Sequence, residues 1–262
     1  MILNKGNFAH NPVLLINITF ALFPISFIFG NFIVNIIFFL FCCLGIFHLR
    51  SKIIINKLDF NLKIIFIFFL LILFSTSLNF VQALYSGDYQ DSDLSKLLKS
   101  VLFFRFFIIL LIVYLISDLD IINYKLFFLS SAILPILISL DVIFQYIFGF
   151  NVIGIKGLTR HNPSFFADEL ISGGYIQNFS FFSIFFVAFI LKNKKNIRFT
   201  LTMVTICILG TGILFSGNRM PLILFLFGLL LVILFNNQLR NIILVSLVSF
   251  FILFKFIIST DA

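Results

Sequence analysis

The sequence predicts an all-α fold, a polytopic bundle of transmembrane helices with about nine spans. Composition comes first. Hydrophobic residues make up 61% of the 262-residue chain and charged residues only 11%, and the mean hydropathy is +1.20. A soluble domain with one core cannot hide that much apolar surface, so the solvent must be lipid. The second observation is pattern. The apolar runs lack strand-like alternation, which excludes an outer-membrane barrel.

Stretches of roughly 17–25 apolar residues fall near 13–29, 31–49, 62–83, 100–117, 126–148, 171–191, 199–217, 220–235 and 242–258. The first has too long a core for a signal peptide, and no small-residue cleavage site follows it. Only Gly30-Asn31 separates it from the second. With a cytoplasmic N-terminus, the inside segments hold Lys5, Arg50, Lys52, Lys57, Lys63, Lys125, Lys192, Lys194, Lys195, Arg198 and Arg240. The outside segments hold Lys96, Lys99, Lys156, Arg160 and Arg219, while Arg105 and Lys255 lie within spans. Eleven cations against five is a consistent positive-inside bias. It accounts for the net charge of +8 without a nucleic acid. The 42 Phe, with abundant Ile and Asn and no Trp, are read as the mark of an AT-rich genome. Cys42, Cys43 and Cys207 sit in apolar runs as small hydrophobes.

On this topology two polar constellations face outward. In "RHNPSFFADEL" Asn162 suits an N-cap and Pro163 the first helical position, so a helix is expected from Pro163. Arg160 and His161 would then stand ahead of its N-terminus, where backbone N–H groups and the dipole favour an anion. A guanidinium adds a bidentate clamp. Asp168 and Glu169 follow about two turns later. Spacing alone equally allows a solvated loop whose Arg and Glu pair with each other or with lipid headgroups. "SGNRMP" repeats the arrangement, with Asn218 as cap, Arg219 at the helix start and Pro221 in the first turn. Alone, Arg219 reads as an interfacial residue reaching for lipid phosphate. Two Arg at one membrane level shift the reading toward a shared anion such as a phosphate.

Other candidates rank lower. Arg105 inside a span needs a partner, and Asp141 is the expected one, as a structural ion pair. His10 and His48 stand alone. No His, Cys or carboxylate cluster has metal-ligand spacing, so no metal or cofactor is expected. Phosphate-cradling GxxxxGK[ST] and GxSxG motifs are absent. "SGDYQDSD", residues 86–93, lacks the calcium-loop pattern and reads as a hydrated loop.

At these motifs the chain resembles the N-terminal portion of the O-antigen ligase and O-antigen polymerase family of bacterial inner-membrane proteins. "DVIFQYIFGFNVIG", Asp141 to Gly154, followed by Arg160 and "FFADELISGGY", resembles the family's Asp-x-x-x-Gln-x-x-x-Gly stretch leading into an Arg, a Phe-x-x-Glu-Leu and a Gly. "LFSGNRMPLILFLFGLLL", Leu214 to Leu231, resembles its Ser-Gly-x-Arg turn. The likeness covers roughly residues 140–235, which makes 1–139 an N-terminal helical part and 140–262 the start of the ligase-like region.

The resemblance implies a metal-free glycosyltransferase working at the outer, periplasmic face. It would move glycan from an undecaprenyl-pyrophosphate carrier to lipid A-core (ligase) or to a second carrier-linked glycan (polymerase). It assigns pyrophosphate contacts to Arg160 and Arg219, and to Glu169 the role of a base or of a rigidifying partner for an Arg. The family's functional His lies in a large outer loop further on, so none is carried to His161. The family continues with that loop where this chain stops, so a fragment, or a chain needing a second polypeptide, is expected. Two other readings stay open. A transporter of an anionic or lipid-linked sugar is one, although transporters keep polar groups at broken helices near the midplane. A non-catalytic membrane subunit is the other.

Overall fold

The computed structural model describes residues 12–49, 59–87, 90–158, 161–166 and 171–260. Ten α-helices account for most of them: α1 (Pro12–Ser26), α2 (Asn31–Leu49), α3 (Phe60–Ser86), α4 (Asp91–Phe103), α5 (Arg105–Asp118), α6 (Tyr124–Phe148), α7 (Ser172–Ile190), α8 (Lys195–Phe215), α9 (Arg219–Phe235) and α10 (Asn237–Thr260). Single 3-10 turns occupy Phe27–Phe29 and Ser164–Phe166. Lipid cannot satisfy backbone N–H and C=O groups, so helices that bond internally are what such apolar runs can form. This is a membrane protein with an all-α fold.

Among the described residues, seven segments are long and apolar enough to cross a membrane: Pro12–Phe29, Asn31–Leu49, Phe60–Ser86, Asp91–Asp118, Tyr124–Phe148, Ser172–Ile190 and Lys195–Phe215. Of the other two expected spans, Arg219–Phe235 falls short by that measure, and Asn237–Ile252 is the apolar part of α10 whose side chains are described. At 17 residues, α9 is about 25 Å long against a hydrocarbon core of about 30 Å.

The fourth span also departs from expectation, because its helix begins at Asp91 instead of near residue 100. Gln90 and Asp93 form a reciprocal capping box, and Asp91 and Asp93 lie in the first turn, where the dipole favours acids. The last three residues of the acidic stretch are thus a helix start. Gly87, at φ +78°, ends α3 in the left-handed conformation that costs glycine least. Arg105 begins α5 with its guanidinium 5.0 Å from the Phe106 ring centroid.

The helices group into two compact units, Met1–Phe20 with Asn35–Asn123, and Ala21–Val34 with Tyr124–Ala262. In the first unit an aromatic cluster joins α3 to the α4–α5 break: Phe66 and Phe69 pack on Phe104 and Phe107. Thr76 and Ser100 hydroxyls meet at 2.8 Å. Gly45 of α2 sits hard against Ile112 of α5.

The second unit holds the larger core, with Ile138 and Val142 of α6, Ile176 and Ile184 of α7, Leu209 and Ile213 of α8, Phe225 of α9 and Ile243 of α10. Small residues let the backbones approach. A Cβ on Gly212 would stand 2.6 Å from that of Ser139, which is why α6 and α8 can pack so closely. Hydroxyls bridge helices to carbonyls: Ser183 donates to Ala132 at 2.6 Å, Ser130 to Ala21 at 2.8 Å and Tyr175 to Pro24 at 2.8 Å.

Candidate functional site

The polar end of the second unit is built on one stripe of α6. Asp141, Gln145 and Gly149 recur every four residues, so they share a helix face. Asp141 and Gln145 are buried, as are Asn151 and Ser164 in the following loop. The loop first closes on itself. Asn151 N–H donates to the Ile155 carbonyl and Gly157 N–H to that of Gly149, both at 2.9 Å. The Asn151 side chain accepts from Ile153 and Ile155 N–H and donates to the Ser164 carbonyl at 2.9 Å. Gln145 donates to the Ile155 carbonyl at 3.0 Å and accepts from Ser164 N–H at 2.8 Å. Asp141 accepts from Val152 N–H at 3.0 Å and from the Ser164 hydroxyl.

Every polar group of Ser164 is therefore held, by Gln145, Asp141 and Asn151. That explains its backbone, which lies at φ +56°. A non-glycine residue there costs about 1–3 kcal/mol and persists only where its surroundings over-determine it. Asn151→Ala removes three of these bonds and strands the buried Ser164 carbonyl. It is expected to cost about 1–3 kcal/mol, read as a lower unfolding midpoint and faster protease cleavage between residues 149 and 166.

Two expectations are corrected here. Where a helix was expected from Pro163, the described residues hold a 3-10 turn, Ser164–Phe166, and Pro163 stands outside it. Asn162 does not cap it. Its side chain donates to the Phe215 carbonyl at 2.7 Å, and its own carbonyl accepts from the Ser172 hydroxyl at 2.9 Å. Asp141, expected to pair with Arg105, gives its two oxygens to the loop of its own unit, and the ion pair found among the described residues is Lys96–Asp93.

The second constellation keeps its expected boundaries: Arg219 is the first residue of α9 and Pro221 lies in its first turn, while Asn218 stands at the N-cap position without a side-chain capping bond. What the sequence could not show is how the two constellations meet. Gly173 of α7 is packed against the Ser216–Asn218 turn, where an added Cβ would stand 2.3 Å from Ser216 Oγ and 3.2 Å from Asn218 Cβ. Together with the Asn162–Phe215 bond, this brings Asn162 of the loop and Gly173 of α7 onto the turn that carries Arg219.

Beside the contact lies a cavity of about 600 Å³, lined by Ile171, Gly174, Tyr175 and Asn178 of the α7 side, by Asn218, Arg219, Met220 and Pro221, and by Phe27 and Phe179. Arg219 is exposed and is the one charged group among these lining residues. It also stands at the positive end of a helix with no acidic residue in its first turn. A cation there is unfavourable by about 0.3–1 kcal/mol unless an anion answers it. Arg219, α9's leading N–H groups and the two Asn amides can hold an anion and neighbouring hydroxyls. No lining residue among those described offers a carboxylate or imidazole base.

Arg160 and Glu169 lie outside the described residues, so of the three predicted site residues the structure positions Arg219. Leu158 and His161, which flank residues 159 and 160, exchange backbone hydrogen bonds. Ile171, two residues beyond Glu169, lines the cavity. His161 Nδ1 is buried without a partner among the described residues. No group of three or more His, Cys, Asp or Glu among the described residues could hold a metal. Sequence reasoning missed Asn178 and the anchoring roles of Gln145, Asn151 and Ser164. Ile171, Gly174 and Asn178 fall at i, i+3 and i+7, a helical stripe that was available to be read. The chain matches no protein-family model, no curated protein and no solved structure.

Proposed function

We propose that this chain is part of a membrane glycosyltransferase of surface-polysaccharide assembly, of the O-antigen ligase or polymerase kind. It takes glycan from an undecaprenyl-pyrophosphate carrier at the periplasmic face of a bacterial inner membrane. In this reading α9 and α10 serve as the eighth and ninth spans. The observation that carries it is the seating of Gly173, at the start of α7, on the turn that carries Arg219, beside a cavity lined by residues of both. A cation placed against its helix dipole, with amides and no carboxylate around it, suits a diphosphate bearing a sugar. Pyrophosphate leaves once its charge is neutralised, and preorganised guanidinium groups supply that stabilisation. Arg160 is the second such group and Glu169 the candidate base, worth about 10²–10⁴-fold in such reactions.

The test is genetic and topological. Deleting the gene should shorten or abolish the polysaccharide ladder of the surface glycan, and the intact gene should restore it. An unchanged ladder would sink the proposal. Reporter fusions after residues 160 and 219 should both report the periplasmic side, and fusions on opposite sides are incompatible with a shared diphosphate.

A further inference from the structure

A larger cavity, about 820 Å³, lies at the other end of the second unit. It is formed where α6 and α8 begin, where α7 ends and where α9 passes into α10. Phe128, Phe185 and Phe189 supply an apolar wall, while Lys125, Lys192 and Arg198 supply three cations. No carboxylate is among the lining residues. Arg198 Nε is buried with no partner among the described residues. A buried donor on a charged group is costly when unanswered.

We propose that this cavity binds an anionic phospholipid, its phosphate between Lys125, Lys192 and Arg198 and an acyl chain along the phenylalanine wall. The cations belong to helix ends gathered at one level, which is where lipid headgroups lie, and basic pockets between transmembrane helices suit such headgroups. A free phosphate would leave the apolar wall without a partner. A neutral lipid would leave the Arg198 Nε unanswered, and a zwitterionic one would bring a further cation beside Lys192 and Arg198. The site is separate from the Arg219 cavity, and its occupancy does not depend on any transferase activity.

The whole chain, purified in detergent, is titrated separately with phosphatidylglycerol, phosphatidylcholine and inorganic phosphate. Bound lipid is counted by native mass spectrometry and the unfolding midpoint is followed. Phosphatidylglycerol should bind and raise the midpoint, while the other two do not. Arg198→Gln should weaken that binding about fivefold, the scale of one interfacial charge. Arg240→Gln, which removes an exposed cation outside the lining, should not weaken it. Should Arg198→Gln fail to fold, exposed Lys192→Gln supplies the same comparison. Equal binding of both lipids, stabilisation by phosphate alone, or equal effects of the lining and the Arg240 substitutions would each overturn the proposal.

Discussion

Arg219→Ala is expected to lower glycan transfer by about 10²–10³-fold, the usual loss when a preorganised group facing developing charge is removed. The protein should remain inserted and folded. Arg219 is exposed and is the first residue of α9, so truncating it empties no core. Because a cation at a helix N-terminus opposes the dipole, its removal should leave the unfolding midpoint unchanged or raise it slightly, by the equivalent of about 0.3–1 kcal/mol. Opposite signs for activity and stability are what distinguish a ligand-binding Arg from a structural one. Arg219→Lys keeps the charge and loses the planar fork, so it should fall between wild type and Ala. The readouts are the polysaccharide ladder and the thermal midpoint of purified protein. A normal ladder from Arg219→Ala would remove Arg219 from the site.

Much of the fold was legible because lipid makes the rules few. Long aliphatic runs mark helices, and Gly30, Gly87 and Gly217 at turns, all with positive φ, mark their interruptions. The Asn218-Arg219 helix start was readable for the same local reason, since Pro221 fits a first turn and little else near it. The errors arose where distant groups overrode local preference. Asn162 is a good cap in isolation, but its amide is spent on the Phe215 carbonyl, 53 residues away. Asp141 resembled half of an intramembrane ion pair until the loop it anchors was visible. The start of α4 was missed for a simpler reason, because its capping box uses Gln and Asp in place of the usual Ser or Thr with Glu. The meeting of Gly173 with the Ser216 turn has no local signature, because the two are joined only through the packing of α7 and α8.

That contact makes the sharpest structural prediction. Gly173→Ala should destabilise the protein by about 1–3 kcal/mol, the cost of forcing a methyl group into a filled site, because its Cβ would lie 2.3 Å from Ser216 Oγ. Gly174→Ala is the matched control, since a Cβ there meets nothing within 4 Å and the residue needs no positive φ. In a helix the alanine is itself favourable by up to about 1 kcal/mol, so Gly174→Ala should be neutral or stabilising. The two neighbours should therefore move the unfolding midpoint in different directions. Adding Ser216→Ala to Gly173→Ala removes the oxygen at 2.3 Å and leaves the nearest carbon contacts at 3.2 Å, so the double variant should recover part of the loss. Glycan transfer should fall in Gly173→Ala and recover in part in the double variant, because moving α7 off the turn pulls the Ile171–Asn178 side of the cavity away from Arg219. If Gly173→Ala lowered stability while transfer stayed intact, the contact would hold the bundle together without shaping the site.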